Sequence, residues 1–193
     1  MKSLLVIATL VSSTCFAWDM SAQKWTAQLD LRQTAGDTSV CGAQATCKAD
    51  TQTMFGAGAT TNLDLGNKFG LRTGGMLTQR GYKQTDTGVT NSVNLTYLDI
   101  PVLPEYQIND MFTAYAGVVV GLKAARTCDF GTTTCNALSD KSMVTPLQVG
   151  GTYNIDKQWT ARLTYETGTI LTAVPGTDVK TANAITLGGG YTF

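Results

Sequence analysis

Residues 159–166 read Trp-Thr-Ala-Arg-Leu-Thr-Tyr-Glu. Successive side chains of an extended chain point to opposite faces, so Trp159, Ala161, Leu163 and Tyr165 share one side and Thr160, Arg162, Thr164 and Glu166 the other. Residues 25–32 repeat the scheme, with Trp25, Ala27, Leu29 and Leu31 against Thr26, Gln28, Asp30 and Arg32. So do residues 69–80, where Phe69, Leu71, Thr73, Gly75 and Leu77 oppose Arg72, Met76, Thr78 and Arg80. Each segment is a strand with one apolar and one polar face. A soluble β-sandwich alternates in the same way, so the period of two selects strands without yet choosing their solvent.

Eight such segments can be drawn, near 25–35, 52–64, 68–80, 93–107, 111–123, 142–154, 158–170 and 181–193. Short links join some of them: Leu65-Gly66-Asn67, Ile108-Asn109-Asp110 and Ile155-Asp156-Lys157, each carrying Gly, Asn or Asp as tight turns require. The other links, roughly 36–51, 81–92, 124–141 and 171–180, are longer and rich in Thr, Gly, Asp and Asn. Short turns at one end and long loops at the other are the plan of an outer-membrane barrel.

The aromatic residues choose between lipid and water. Trp25, Phe69, Tyr106, Phe112, Tyr153, Trp159, Tyr191 and Phe193 all fall at strand ends nearest the short turns or the chain termini. In a barrel they converge on one ring, which is where amphipathic rings meet a membrane interface. A soluble domain has no reason to gather them on one rim. Tyr97, Phe55 and Tyr165 are candidates for the sparser outer ring. The expected fold is therefore all-β, an eight-stranded antiparallel up-and-down transmembrane β-barrel.

Residues 1–17 read as a secretory signal, with Lys2 at the start, an apolar core over Leu4–Val11, and Cys15, Phe16 and Ala17 placing small residues where a peptidase reads. Cleavage would leave Trp18 first and residues 18–193 as the barrel domain. Ser12-Ser13-Thr14-Cys15 fits a lipoprotein box poorly. The apolar core is far shorter than the roughly 20 residues of a spanning helix. Charge is balanced, at 14 basic and 14 acidic residues, which gives nucleic acid nothing to recommend it as a partner.

The fourth segment breaks parity. Val93, Leu95 and Tyr97 share a face, but the apolar set continues as Leu98, Ile100 and Val102 on the other. Pro101 and Pro104 lack ladder donors, so a bulge near Tyr97 and Leu98 is expected. The last segment places Ile185, Leu187, Gly189, Tyr191 and Phe193 on alternate positions and ends on an aromatic. Tyr191 and Phe193 look like the terminal signal read by the barrel assembly machinery of Gram-negative bacteria.

The stretches GLRTGGMLTQRGYK (70–83), LTYLDIPVLPEYQI (95–108), FTAYAGVVVGLK (112–123), RLTYETG (162–168) and ITLGGGYTF (185–193) resemble the outer-membrane β-barrel domain family that includes PorT-like and OmpA-like eight-stranded barrels. Tyr97-Leu98-Asp99-Ile100-Pro101 is the most telling run. The resemblance spans nearly all of residues 18–193 except the cysteine-bearing loops. It implies a fold and a place in the cell outer membrane, and it brings no catalytic residues.

The chain has no histidine. Ser-His and Asp-His catalysis and the commonest zinc ligand are removed with it, so no enzyme, cofactor or metal site is expected. Asp30, Arg32, Arg72, Arg80, Asp99, Glu105, Arg162 and Glu166 all point inward by alternation. Eight strands leave a lumen just wide enough for side chains, so these charges are expected to pair, Arg72 and Arg162 with acids such as Asp99, Glu105 or Glu166. Cys41 and Cys47 in the first long loop and Cys128 and Cys135 in the third are disulfide candidates. Three connectivities are possible and pairing within each loop is expected. The function these features favour is a non-enzymatic barrel with a structural or surface-interaction role. Its partners would be outer-membrane lipid, the assembly machinery and an extracellular ligand or surface protein. A small solute channel or transporter is the alternative.

Overall fold

The computed structural model describes residues 24–34, 48–129, 139–168, 170–174, 177–180 and 183–193. The expected signal 1–17, the residue expected to begin the barrel (18), Cys41, Cys47, Cys135 and the Cys128 side chain lie outside the described residues. Eight strands form the wall: β1 (Trp25–Thr34), β2 (Gln52–Gly66), β3 (Phe69–Asp86), β4 (Val89–Gln107), β5 (Phe112–Asp129), β6 (Leu147–Asn154), β7 (Trp159–Glu166) and β8 (Ala184–Thr192). Each pairs antiparallel with its neighbour in sequence, except that β8 meets both β7 and β1 and so closes the ring. It is a closed up-and-down barrel, and no helix occurs among the described residues.

Alternation places the faces as the residues demand. Leu29 is 71% and Leu163 59% exposed on the outside, while Arg80 and Glu166 are wholly enclosed. This reverses the arrangement of a soluble protein and suits an outer solvent of hydrocarbon. The turn-end aromatics stack in cross-strand pairs: Phe69 with Tyr106 at 5.1 Å, Phe112 with Tyr153 at 4.9 Å, and Trp159 with Tyr191 at 5.0 Å between ring centroids. Two of the three short turns share one device. Asn109 Oδ1 accepts from the N–H groups of Met111 and Phe112, and Asp156 Oδ1 from those of Gln158 and Trp159. At the β2–β3 turn Gly66, Asn67 and Lys68 all take positive φ, which Gly and Asn tolerate best.

Several expectations need correction. Residues 81–92 are no long loop: β3 and β4 run on to a two-residue turn at Thr87-Gly88, with φ of 46° and 85°, the geometry that suits a tight hairpin. Tyr82, Val93 and Leu95 are buried inside this extension and hold it to the barrel. Likewise β5 continues to Asp129, so Cys128 lies in a strand opposite Val93 rather than in a loop. The sixth segment is interrupted at Pro146, although Ser142 to Pro146 still accepts hydrogen bonds from β5. Ile170–Val174 and Thr177–Lys180 form a hairpin that pairs with Ser139–Asp140 as a separate small sheet.

The fourth strand keeps one parity throughout. Val93, Leu95, Tyr97, Asp99, Leu103 and Glu105 all face the lumen, so Tyr97 belongs to the interior and not to an outer aromatic ring. Phe55 and Tyr165 do face outward. The extra residue sits across the ladder, on β5, where Thr96 opposes Ala125 and Tyr97 opposes Lys123, leaving Ala124 unmatched. Apolar residues fill the lumen there because an interior needs packing as well as charge.

Candidate functional site

The lumen is built in layers, and the size of the inward residues sets each one. At the short-turn end the inward positions are small: Thr26, Thr60, Thr113, Thr152, Thr160, Gly190 and Thr192 line a vestibule of about 900 Å³. Thr26 and Thr192 share a hydrogen bond at 2.8 Å, and Gln28 Nε2 donates to Thr60 Oγ1 at 2.8 Å.

The first charged layer closes the vestibule. Arg72 on β3 pairs with Glu105 on β4 at 2.5 Å, donates to Thr152 Oγ1 at 2.8 Å, and lies over the Tyr115 ring at 4.7 Å. Asn62 donates to Glu105, and Tyr115 hydrogen-bonds Thr164. Arg162 on β7 donates to both carboxylate oxygens of Asp30 on β1, at 2.7 and 2.5 Å. Arg162 thus finds Asp30, across β8, rather than Asp99, Glu105 or Glu166.

Above this layer an internal void of about 20 Å³ lies among Asp30, Arg32, Met76, Asp99, Gln148 and Arg162. It is the size of about one water. The second charged layer follows. Glu166 on β7 accepts from Arg32, from Arg80 Nε at 3.1 Å and Nη2 at 3.2 Å, and from Gln148 Nε2 at 2.7 Å. Arg80 also donates to Asp99 at 2.8 Å and lies near the Tyr97 ring at 5.4 Å. Met54 opposite Arg32 and Leu95 opposite Arg80 flank this layer, and Tyr82 and Val93 lie beyond them as buried apolar side chains toward the long-loop end.

Every one of the eight inward charges named from the sequence is therefore in an ion pair, and four arginines meet four carboxylates. Charges so enclosed persist only when paired, since an isolated ion costs several kcal/mol in such surroundings. Two glycines escaped the sequence reading. A Cβ on Gly188 would lie 2.3 Å from Asp30 Oδ1, and one on Gly121 would lie 2.6 Å from Asp99 Oδ1. Their absent side chains make room for the carboxylates. A glycine inside a strand is the signal that marks such an approach.

Among the described residues no cluster of three or more Cys, Asp or Glu could hold a metal. What the arrangement does show is charge compensation inside the barrel wall.

The family profile described as outer membrane protein β-barrel domain matches residues 4–193. The chain belongs to that family. As a member it is an outer-membrane protein, and its apolar outer face is the surface that meets lipid. Among solved structures, the neisserial surface protein A is similar, with a TM-score of 0.52 at 11% identity over 89% of this chain and 97% of that one. The attachment invasion locus protein of Yersinia pestis gives 0.47 at 15% identity, covering 89% and 99%. The outer membrane protein OprG from Pseudomonas aeruginosa gives 0.44 at 15% identity, covering 89% and 96%. No curated protein matched in sequence.

Proposed function

We propose that the barrel is a closed, non-enzymatic anchor that holds its long loops outside the outer membrane, where they serve envelope structure or contact a surface partner. The observation that carries this reading is the lumen: two neutralised charge layers separated by a void of about 20 Å³, with buried apolar side chains beyond. Eight strands leave little else. Export by residues 1–17 with Trp18 first, disulfides between Cys41 and Cys47 and between Cys128 and Cys135, and recognition of Tyr191 and Phe193 by the assembly machinery are parts of the same proposal. Phe193 supports the last: the residue is 72% exposed, while its N–H donates to Trp25 O at 3.1 Å, so it projects from a fixed backbone.

The channel reading draws support from one feature, the vestibule of about 900 Å³ at the turn end. It ends at Arg72 and Arg162, and a solute would have to displace both ion pairs. Vesicles holding the purified protein should not swell in isotonic solutions of small sugars or amino acids. Swelling at rates that fall with solute size would replace the anchor reading with the channel.

A further inference from the structure

The outer face of the barrel is not equally tall all the way round. On β5 the outward positions Phe112, Ala114, Ala116, Val118, Val120 and Leu122 are apolar, six in succession. Their partners on the adjoining strand run from Tyr153 through Gly151, Val149 and Leu147 to Met143, opposite Leu122, with Thr145 alone interrupting. On β7 the outward set is Trp159, Ala161, Leu163 and Tyr165, after which Thr167 follows. On β1 it is Trp25, Ala27, Leu29 and Leu31, after which Gln33 is exposed. Between them β8 carries five, from Phe193 to Ile185, followed by exposed Asn183.

The registers set these positions side by side on neighbouring strands. Trp159 faces Tyr191, which faces Ala27; Leu163 faces Leu187, which faces Leu31; Tyr165 faces Ile185, which faces Gln33. Outward neighbours are two residues apart, about 6.8 Å along a strand, and strands tilt about 40° in such barrels. Four positions then span roughly 16 Å of membrane normal and six span roughly 26 Å. The taller side equals the usual apolar band of about 25 Å, and the shorter side falls well below it. The turn-end aromatics belong to both sides, so the shortfall lies at the outer leaflet.

We infer that the β7–β8–β1 face is a docking surface for a locally thinned bilayer, with lipid compressed toward the level of Gln33, Thr167 and Asn183 while the β5–β6 face keeps full thickness. Lipid is the occupant because the apolar outer face rises all round the barrel from a single aromatic ring, and the family membership places that face in a membrane. Ordinary bilayer meeting this face must either thin or cover exposed polar groups with hydrocarbon, and thinning is the cheaper response. The inference is independent of whether the lumen conducts.

The test extends the short face. The full-length protein is refolded in competition between vesicles of phosphatidylcholine with 12-carbon and with 18-carbon chains. A Gln33→Leu/Thr167→Leu double variant raises the β1 and β7 bands by one position, and Thr145→Leu on the already tall side is the control. The unmutated protein and Thr145→Leu should share one preference for short chains, and the double variant should lose about threefold of it. An unchanged preference in the double variant would overturn the inference. So would stable dimers of the unmutated protein in nanodiscs that dissociate on Leu163→Arg, because the short face would then be covered by a second copy.

Discussion

The two ends of the lumen are made by the same strands and differ in what those strands point inward. At the turn end, Thr and Gly leave a vestibule of about 900 Å³; further along the same strands, Arg, Glu, Tyr and Met leave a void of about 20 Å³. Barrel diameter is fixed by the number of strands, so side-chain volume alone decides where the interior is open. The filled end holds charge as well as bulk, and its charges are compensated across strands that are far apart in sequence. The open end is lined largely by polar side chains, and the hydroxyls of Thr26 and Thr192 bond one another. Substitutions at the two ends should therefore fail in different ways and to different degrees.

The largest effect is expected at Glu166, the one carboxylate that takes both Arg32 and Arg80. Glu166→Ala leaves Arg32 unpaired and strips Arg80 of one of its two acids, which should cost about 3–5 kcal/mol. The midpoint of urea unfolding in lipid or detergent should fall accordingly, with the barrel still able to form at low denaturant.

A smaller and more local contrast lies on β8. Gly188→Ala drives a methyl group against Asp30 Oδ1, in contact with the Asp30–Arg162 pair, and should destabilise by about 1–3 kcal/mol. Gly189→Ala, one residue on and facing outward, meets nothing within 4 Å and should stay within about 0.5 kcal/mol of the unmutated protein. Equal effects from the two would show that the inward glycine is not making room for the network.

The smallest effect is expected outside the membrane, where the same turn geometry is held by a neutral amide at Asn109 and by a carboxylate at Asp156. The N–H groups of Trp159 and Gln158 hold the Asp156 carboxyl below the usual aspartate value. A depressed folded value stabilises above the ordinary aspartate range, and that contribution is lost as pH falls through the depressed one. Asp156→Asn keeps the turn geometry and should flatten this acid limb of the stability profile slightly, whereas Asn109→Asp should add one. The pH dependence of the unfolding midpoint between about 5 and 2 reads both.

Much of this was legible in the sequence wherever both solvents were at hand. Along β1, β7 and the first half of β3, lipid outside and ions inside impose alternation, and the residues show it. Above the bilayer the outside is wet, so Lys83, Thr85, Thr90 and Ser92 carry no apolar rhythm and the long β3–β4 hairpin reads as loop. Inside, apolar Val93 and Leu95 are as good a filling as an ion pair, and the parity of β4 was misread for that reason. The inward charges could be named but not matched. Arg162 and Asp30 stand 132 positions apart, and their meeting depends on how β8 registers against β1 and β7 at barrel closure. The vestibule was invisible because Thr and Gly in a strand signal nothing until eight strands bring them together.

Conductance in a planar bilayer tests most directly whether the filled end seals the barrel. The unmutated protein should give no steady current at moderate voltage. Arg162→Ala removes the Asp30 partner that separates vestibule from void, and should admit brief, small openings. Stable, ion-selective channels from the unmutated protein, unaffected by Arg162→Ala, would contradict the sealed lumen.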